Sequence, residues 1–263
     1  MGNFMLRVKR VFVDNAEGER IDVLVEGRLN SPISIVFVHG FGTNKDEGAG
    51  LFIDISSALK EYCLIRFDFT GYGKSEGKQE DVNLGKEASD LKSVLEFVHK
   101  EYGDKILLIG MSLGCYAISL LSPGDISKTI FISPPDSDQE ATVERLVDRI
   151  KSRKGGIVDF NGATIYLRSS GEIQKIGPAF WKSLNEFNAE AAITTYSHKT
   201  NLVTIIPIQD EIFERKNMDV YDKQSTRCIR LRGNHAFTDP EERKELVAEI
   251  VRVLKTRTKT KEY

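Results

Sequence analysis

The sequence predicts an α/β fold: a mostly parallel central sheet with helices on both faces and a cap inserted after the sixth strand. Three observations predict it. Short apolar runs ending in turn-rich loops alternate with longer stretches of helical spacing, the pattern of right-handed strand-helix-strand crossovers. Ile106-Leu107-Leu108-Ile109 leads through Gly110-Met111-Ser112-Leu113-Gly114 straight into the helix-like Cys115 to Leu121, which reads as strand, sharp turn and helix. At 263 residues, 40% of them hydrophobic, the chain has the size of one such domain with a sizeable core.

Each element follows from local pattern. Leu6 to Val13 and Arg20 to Glu26 alternate apolar and polar residues around the turn Asp14 to Glu19, so they read as two antiparallel strands at a sheet edge. Ile33 to Val38 is apolar apart from Ser34, as suits a strand covered on both faces, and it ends in His39-Gly40-Phe41-Gly42. Leu51, Ile55, Ala58 and Leu59 share one side of a helix. Tyr62 to Phe69 is the next strand, and it runs into a loop rich in turn residues. Over Leu84 to Tyr102, Ala88, Leu91, Leu95 and Val98 form an apolar stripe opposite Lys86, Asp90 and Lys100. After the helix that follows Ser112, the strand Lys128 to Ser133 is stopped by Pro134-Pro135.

From 136 to 199 the rhythm breaks. A helical stretch from Glu140 to Arg153, a Gly155-Gly156 break, a hairpin-like Ile157 to Leu167 and a second helical stretch around Phe180 to Ala192 read as the inserted cap. Residues 1–135 and 200–263 form the core domain. Leu202 to Ile208 and Thr226 to Leu231 restore strand character. Pro240 to Leu254 closes the fold as a helix with Leu246, Val247, Ile250, Val253 and Leu254 inward, followed by a frayed tail from Lys255.

Composition narrows the function. Balanced charge, 37 basic against 39 acidic residues for a formal net of -2, gives no general case for nucleic acid or an anionic membrane and favours neutral or mixed small molecules. Three separated cysteines, Cys63, Cys115 and Cys228, read as reduced thiols of a cytoplasmic protein. The start of the chain lacks the apolar core of a secretory signal, and no run of about eighteen apolar residues occurs. A soluble monomer or homodimer is expected.

A serine between two glycines at a strand-helix junction can be held on a strained turn with its hydroxyl clear of the backbone. A hydroxyl is a poor nucleophile at neutral pH, so it needs an imidazole base and a carboxylate to orient that base. Of the four histidines, His39 lies in a glycine-rich loop, His99 on the polar side of a helix and His198 in the connection leaving the cap. His235 follows the last strand in Gly233-Asn234-His235-Ala236-Phe237, where a loop at the sheet's C-terminal edge can carry it over Ser112. Asp210 leaves the preceding strand at the same edge, with Glu211 and Asp136 as the competing carboxylates. The backbone N–H groups of Phe41 and Leu113 are the expected oxyanion donors, the latter at a helix N-terminus.

Other signals are weaker. Gly71-Tyr72-Gly73-Lys74-Ser75 ends like a phosphate-binding loop, but Asp68 stands where its first glycine belongs and no helix follows. No two histidines stand four apart and the cysteines do not cluster, so no metal is expected. Among the cap aromatics Phe160, Tyr166, Phe180, Trp181 and Phe187, Trp181 is the leading candidate to line a substrate pocket.

Taken with His39 to Glu47 and Phe67 to Ser75, the order Ser112, Asp210, His235 resembles the α/β-hydrolase superfamily over nearly all of the chain except the cap. It resembles in particular the bacterial and archaeal carboxylesterases near the cinnamoyl (feruloyl) esterases and monoacylglycerol lipases. It departs from that pattern where Pro207-Ile208-Gln209 replaces the His-Gly that commonly precedes the acid. The resemblance implies ester hydrolysis through an acyl-enzyme, a small-molecule ester substrate and no cofactor. A thioesterase, peptidase or acyltransferase using the same site, or a ligand-binding protein without turnover, are the alternatives.

Overall fold

The structure, a computed structural model, describes residues 8–168, 171–212 and 218–256. Expectations for the first seven residues and for the tail beyond residue 256 fall outside them. Along the chain come β1 (Lys9–Asp14), β2 (Arg20–Gly27), β3 (Ser34–Val38), α1 (Leu51–Ala58), β4 (Cys63–Phe67), α2 (Leu84–Tyr102), β5 (Ile106–Met111), α3 (Gly114–Leu121) and β6 (Ile126–Ile132). The next segment holds α4 (Gln139–Lys151), β7 (Thr164–Leu167), β8 (Ile173–Ile176), α5 (Pro178–Glu186) and α6 (Ala189–Ser197). The chain then returns through β9 (Asn201–Pro207), α7 (Asp219–Gln224), β10 (Arg227–Leu231) and α8 (Pro240–Lys255).

Eight strands form one sheet in the order β1-β2-β4-β3-β5-β6-β9-β10. β1 and β2 pair antiparallel, β2 joins β4 antiparallel, and every later pairing is parallel. Successive side chains of a strand point to opposite faces, so the apolar runs feed two cores. Val36, Ile65 and Leu108 join the face covered by α2, α3 and α6, whereas Ile35, Phe37, Leu64 and Ile109 join the face covered by α1 and α8. Burying each such side chain contributes roughly 1.5–3 kcal/mol, which is why the central strands read as unbroken apolar runs. Among the described residues no helix is long and apolar enough to cross a membrane.

Two expectations are corrected here. The hairpin expected within Ile157 to Leu167 is formed instead by β7 and β8, with Ile157 making only an isolated bridge to Ile165. Asp159 bends the chain locally, its carboxylate accepting the N–H groups of Asn161 and Gly162, and this turn leads into β7. The single helical stretch around Phe180 to Ala192 is two helices, α5 and α6. α6 packs beneath the sheet, Ala189, Ile193 and Tyr196 being buried and Tyr196 Oη bonding Thr129 Oγ1 at 2.6 Å.

α2 shows what periodicity leaves out. Its boundaries match expectation, with Asn83 capping the N–H of Lys86 and Gly103, at φ 94°, ending it. Its apolar stripe is buried, but so are Lys86 and Asp90, because the β1–β2 turn folds over that face. Lys86 pairs with Glu17 and Glu19, and Asp90 accepts from Asn15 and from the Thr70 N–H and hydroxyl. Glu87 is only 3% exposed. Burial first, and the charge of Asp90 second, push its carboxyl from about 4.5 up to about 8.

The unfolded chain therefore loses the Glu87 proton near pH 4.5 while the folded protein keeps it to about pH 8. Stability falls as pH rises through that window, by up to about 1.4 kcal/mol per pH unit. Glu87→Gln, which has no proton to lose, should gain thermal stability over wild type by a margin that widens from pH 5 to pH 8. A difference in Tm that stays constant with pH would contradict this assignment.

Candidate active site

Ser112 lies one residue past the end of β5 with φ at 50°, in the left-handed region that side chains rarely enter. Three glycines make room for the turn. A Cβ on Gly114 would stand 2.5 Å from the His39 carbonyl oxygen and 2.6 Å from that of Val38. One on Gly110 would meet Ile118 Cδ1 at 2.6 Å, and one on Gly40 would meet Ser112 Cβ at 3.0 Å. The G-x-S-x-G spacing thus reflects close packing of β5, α3 and the loop after β3.

Parallel strands β5, β6, β9 and β10 end at the same edge, and backbone bonds continue between them beyond the strand ends. Ser112 N–H donates to Ile132 O at 3.0 Å, Ser133 N–H to Ile205 O at 2.9 Å, and Gln209 N–H to Gly233 O at 3.0 Å. This row brings together side chains from widely separated positions. His235 Nε2 is 3.0 Å from Ser112 Oγ, across 123 positions of sequence, and its Nδ1 is 2.8 Å from Asp210 Oδ2. The imidazole is 6% exposed. Asp210 Oδ1 accepts the Ile212 N–H at 2.9 Å, which leaves Oδ2 aimed at the ring.

The competing carboxylates have other work. Glu211 Oε2 accepts the His235 backbone N–H at 2.9 Å, and Asp136 Oδ1 accepts the Asp138 N–H at 2.9 Å at the start of α4. His99 lies beside Asp104 and His198 is exposed at the end of α6. His39 is fully buried: Nε2 accepts the Phe69 N–H at 3.0 Å, so the ring proton is on Nδ1, which donates to Gly40 O at 2.8 Å. Burial pulls its pKa below the usual histidine range, and the neutral ring holds the β3 and β4 loops together.

The expected oxyanion donors flank Ser112. Leu113 caps the start of α3, and Phe41 follows Gly40. Neither N–H has a hydrogen-bond partner among the described residues. Their loop is shaped by Glu47, whose carboxylate accepts the Gly40 N–H at 2.6 Å, the Thr43 hydroxyl at 3.1 Å and the Gly48 N–H at 2.8 Å. The Phe41 ring stacks on Phe180 of α5 at 4.3 Å between centroids. Asp68 joins Lys45 and the Lys74 N–H, so the loop with the phosphate-loop resemblance is closed on an ion pair.

A cleft of about 340 Å3 opens above Ser112 and His235, roofed by Leu146, Arg149, Ile150 and Tyr166. Trp181 does not line it. The indole is 1% exposed, donates to Thr164 Oγ1 at 3.1 Å and packs on Phe160 and Phe180, filling the interior of the inserted segment. Of the cap aromatics it is Tyr166 that reaches the cleft.

Sequence comparison agrees with the fold: the pattern of the alpha/beta hydrolase family matches residues 35–200. The chain belongs to the alpha/beta hydrolase family. Among solved structures this alpha/beta hydrolase resembles an esterase of Pyrococcus furiosus, with a TM-score of 0.72 and 18% identity over 97% of this chain and 94% of that one. It also resembles Est1E of Butyrivibrio proteoclasticus, solved with ferulic acid bound, at a TM-score of 0.70 and 20% identity over 92% and 98% of the two chains. A curated relative, the mitochondrial palmitoyl-protein thioesterase ABHD10 of Bos taurus, is 32% identical over 80 residues, 30% of this chain and 25% of that protein. The chain spans a quarter to about half of the length of the curated relatives it matches.

Sequence reasoning missed Glu47, Ser133 and Arg243. Ser133 Oγ donates to His235 O at 2.7 Å. Arg243, from α8, donates to the carbonyls of Phe237, Ala236 and Ala49 at 2.8, 2.9 and 2.6 Å and pairs with Asp54 of α1. Glu47 ends a stretch that carries the family resemblance, but nothing local marks its role, and neither the turn residue Ser133 nor the helix charge Arg243 carries such a signal.

The close packing at Gly114 is open to test. Gly114→Ala forces a methyl into two backbone carbonyls and should cost roughly 1–3 kcal/mol, read as a lowered Tm. Gly124→Ala, where a Cβ meets nothing within 4 Å, should leave Tm close to wild type. Equal effects of the two would refute the packing argument.

Proposed function

We propose that this chain is a serine hydrolase that cleaves carboxylic esters through an acyl-enzyme on Ser112. The observation that carries the proposal is the continuous chain from Ser112 Oγ to His235 Nε2, 3.0 Å, and from His235 Nδ1 to Asp210 Oδ2, 2.8 Å. His235 Nε2 takes the hydroxyl proton as Ser112 Oγ bonds to the ester carbon. Charge moves onto the carbonyl oxygen, which the free N–H groups of Phe41 and Leu113 receive, a kind of contact worth about 3 kcal/mol per donor in the transition state. His235 then protonates the departing alkoxide as the carbon-oxygen bond breaks, releasing the alcohol. Water enters, gives its proton to His235 and its oxygen to the acyl carbon. The carboxylic acid leaves and Ser112 recovers its proton.

Asp210 keeps the proton of the resting imidazole on Nδ1 and stabilises the imidazolium. The reaction needs no cofactor. Residues 136–199 act as the cap and the remainder as the catalytic core, although α6 lies in the sheet's own helical layer. A thioester is the second reading, favoured by the stretch shared with the thioesterase relative, and it uses the same steps with a thiolate as leaving group.

A fluorophosphonate should label the protein stoichiometrically at Ser112, and Ser112→Ala should abolish labelling. Asp210→Asn should lower kcat by about 10^3 to 10^4, far more than Glu211→Gln. Labelling that persists in Ser112→Ala would end the nucleophile assignment. A larger loss in Glu211→Gln would move the acid to that residue. Matched p-nitrophenyl esters and acyl thioesters separate the two substrate readings.

A further inference from the structure

The roof of the cleft carries two arginines whose guanidinium groups bond no carboxylate among the described residues. Arg149 lies near the end of α4 and Arg153 four residues on, so both come from the same side of that turn, and Arg168 follows β7; all three line the cleft. Neither Arg149 nor Arg153 has a hydrogen bond or ion pair from its guanidinium among the described residues. Arginines elsewhere do: Arg10, Arg20, Arg66, Arg230, Arg243 and Arg252 each bond a carboxylate. Arg168 is only loosely engaged, 3.7 Å from Glu172.

Carboxylates do line the sheet side of the cleft, but they are committed to backbone. Glu47 holds the N–H groups of Gly40 and Gly48, and Glu211 holds that of His235. Arg149, Arg153, Arg168 and Tyr166 all line this one cleft. Arg149 is exposed and opens on the cleft. Desolvation, and then the like charge of Arg153, pull its pKa below the ordinary guanidinium value. Like charges four apart along a helical turn repel, which favours an anion between them. Planar guanidinium forks match the oxygens of a carboxylate or phosphate.

We infer that the ester this cleft selects carries an oxyanion, a carboxylate or a phosphate, held by Arg149 and Arg153 with Arg168 and Tyr166 beside them. The inference rests on the proposed esterase reading and adds the substrate class. It narrows the neutral or mixed small molecules suggested by overall charge, because a net of -2 averages over the surface what the cleft concentrates.

Matched acyl chains test it: p-nitrophenyl hexanoate, mono-p-nitrophenyl adipate and the p-nitrophenyl ester of 5-phosphonopentanoic acid. The ratio of kcat/KM for an anionic ester to that for the hexanoate should exceed ten in wild type. It should fall about tenfold in Arg149→Gln and in Arg153→Gln, as expected for the loss of one charge-assisted contact. Arg153→Lys should retain part of it, and added salt should erode it. The adipate and phosphonate arms tell which oxyanion fits. A ratio near one, or a ratio that the arginine substitutions leave unmoved, overturns the inference while leaving the esterase reading intact. If no ester is turned over, that reading fails, and calorimetric titration of Ser112→Ala with adipate, inorganic phosphate and neutral adipamide decides the inference. Adipate or phosphate binding that is lost on Arg149→Gln supports it, and binding no tighter than that of adipamide overturns it.

Discussion

One backbone angle governs the arrangement of this protein's site. Ser112 at φ 50° costs about 1–2 kcal/mol relative to ordinary helical or extended backbone. It is tolerated because neighbours on every side hold the turn. Its N–H is bonded to β6, and its Cβ rests against Gly40. Gly114, behind it, lets α3 approach the end of β3 to a distance no side chain would permit. Relaxing the angle would require the loop after β3, the start of α3 and the end of β6 to move together. The strain is distributed over three glycines and a sheet, which makes the hydroxyl's direction a property of the fold.

Much of this was legible before any coordinates. The strands were readable because they are covered on both faces, so their apolar runs are unbroken, and a parallel sheet forces every strand's exit to one edge. Ser112, Asp210 and His235 each follow such a run within a few residues, and that placement alone made them neighbours. Pro207-Ile208-Gln209, the departure from the family pattern, does not disturb them, because Gln209 N–H joins the backbone row at Gly233. What could not be read depends on contacts between distant positions. Lys86 and Asp90 look like a solvated helix face until the β1–β2 turn covers them. Glu47 and Arg243 act on carbonyl and N–H groups, which have no residue type to betray them. Trp181 looked like a pocket wall because a large aromatic suits either a pocket or a packed interior, and its satisfied indole shows which.

Charge was the least legible property. A composition near neutrality conceals a sheet side whose carboxylates accept backbone N–H groups and a facing wall, from α4 and the turn after it, where Arg149 and Arg153 bond no carboxylate among the described residues. The sequence marks only a helical stretch from Glu140 to Arg153; in the structure Leu146 and Ile150 of α4 are buried, and Arg149 is their neighbour on the same rim. Orientation of that helix over the cleft, which only tertiary structure supplies, turns an ordinary amphipathic pattern into the upper wall of a cleft.

The guanidinium of Arg243 has a consequence for how such a protein can change. It fastens the segment bearing the imidazole to α1 and α8, on the far side of the sheet, while Ser133 and Glu211 secure the same segment from within the core. None of these fastenings comes from the inserted helices and hairpin. The position of His235 and the shape of the cleft's roof are thereby set from opposite sides of the sheet. The helices and hairpin between β6 and β9 can therefore vary without loosening the hold on His235, although Phe180 stays coupled to the loop that carries Phe41.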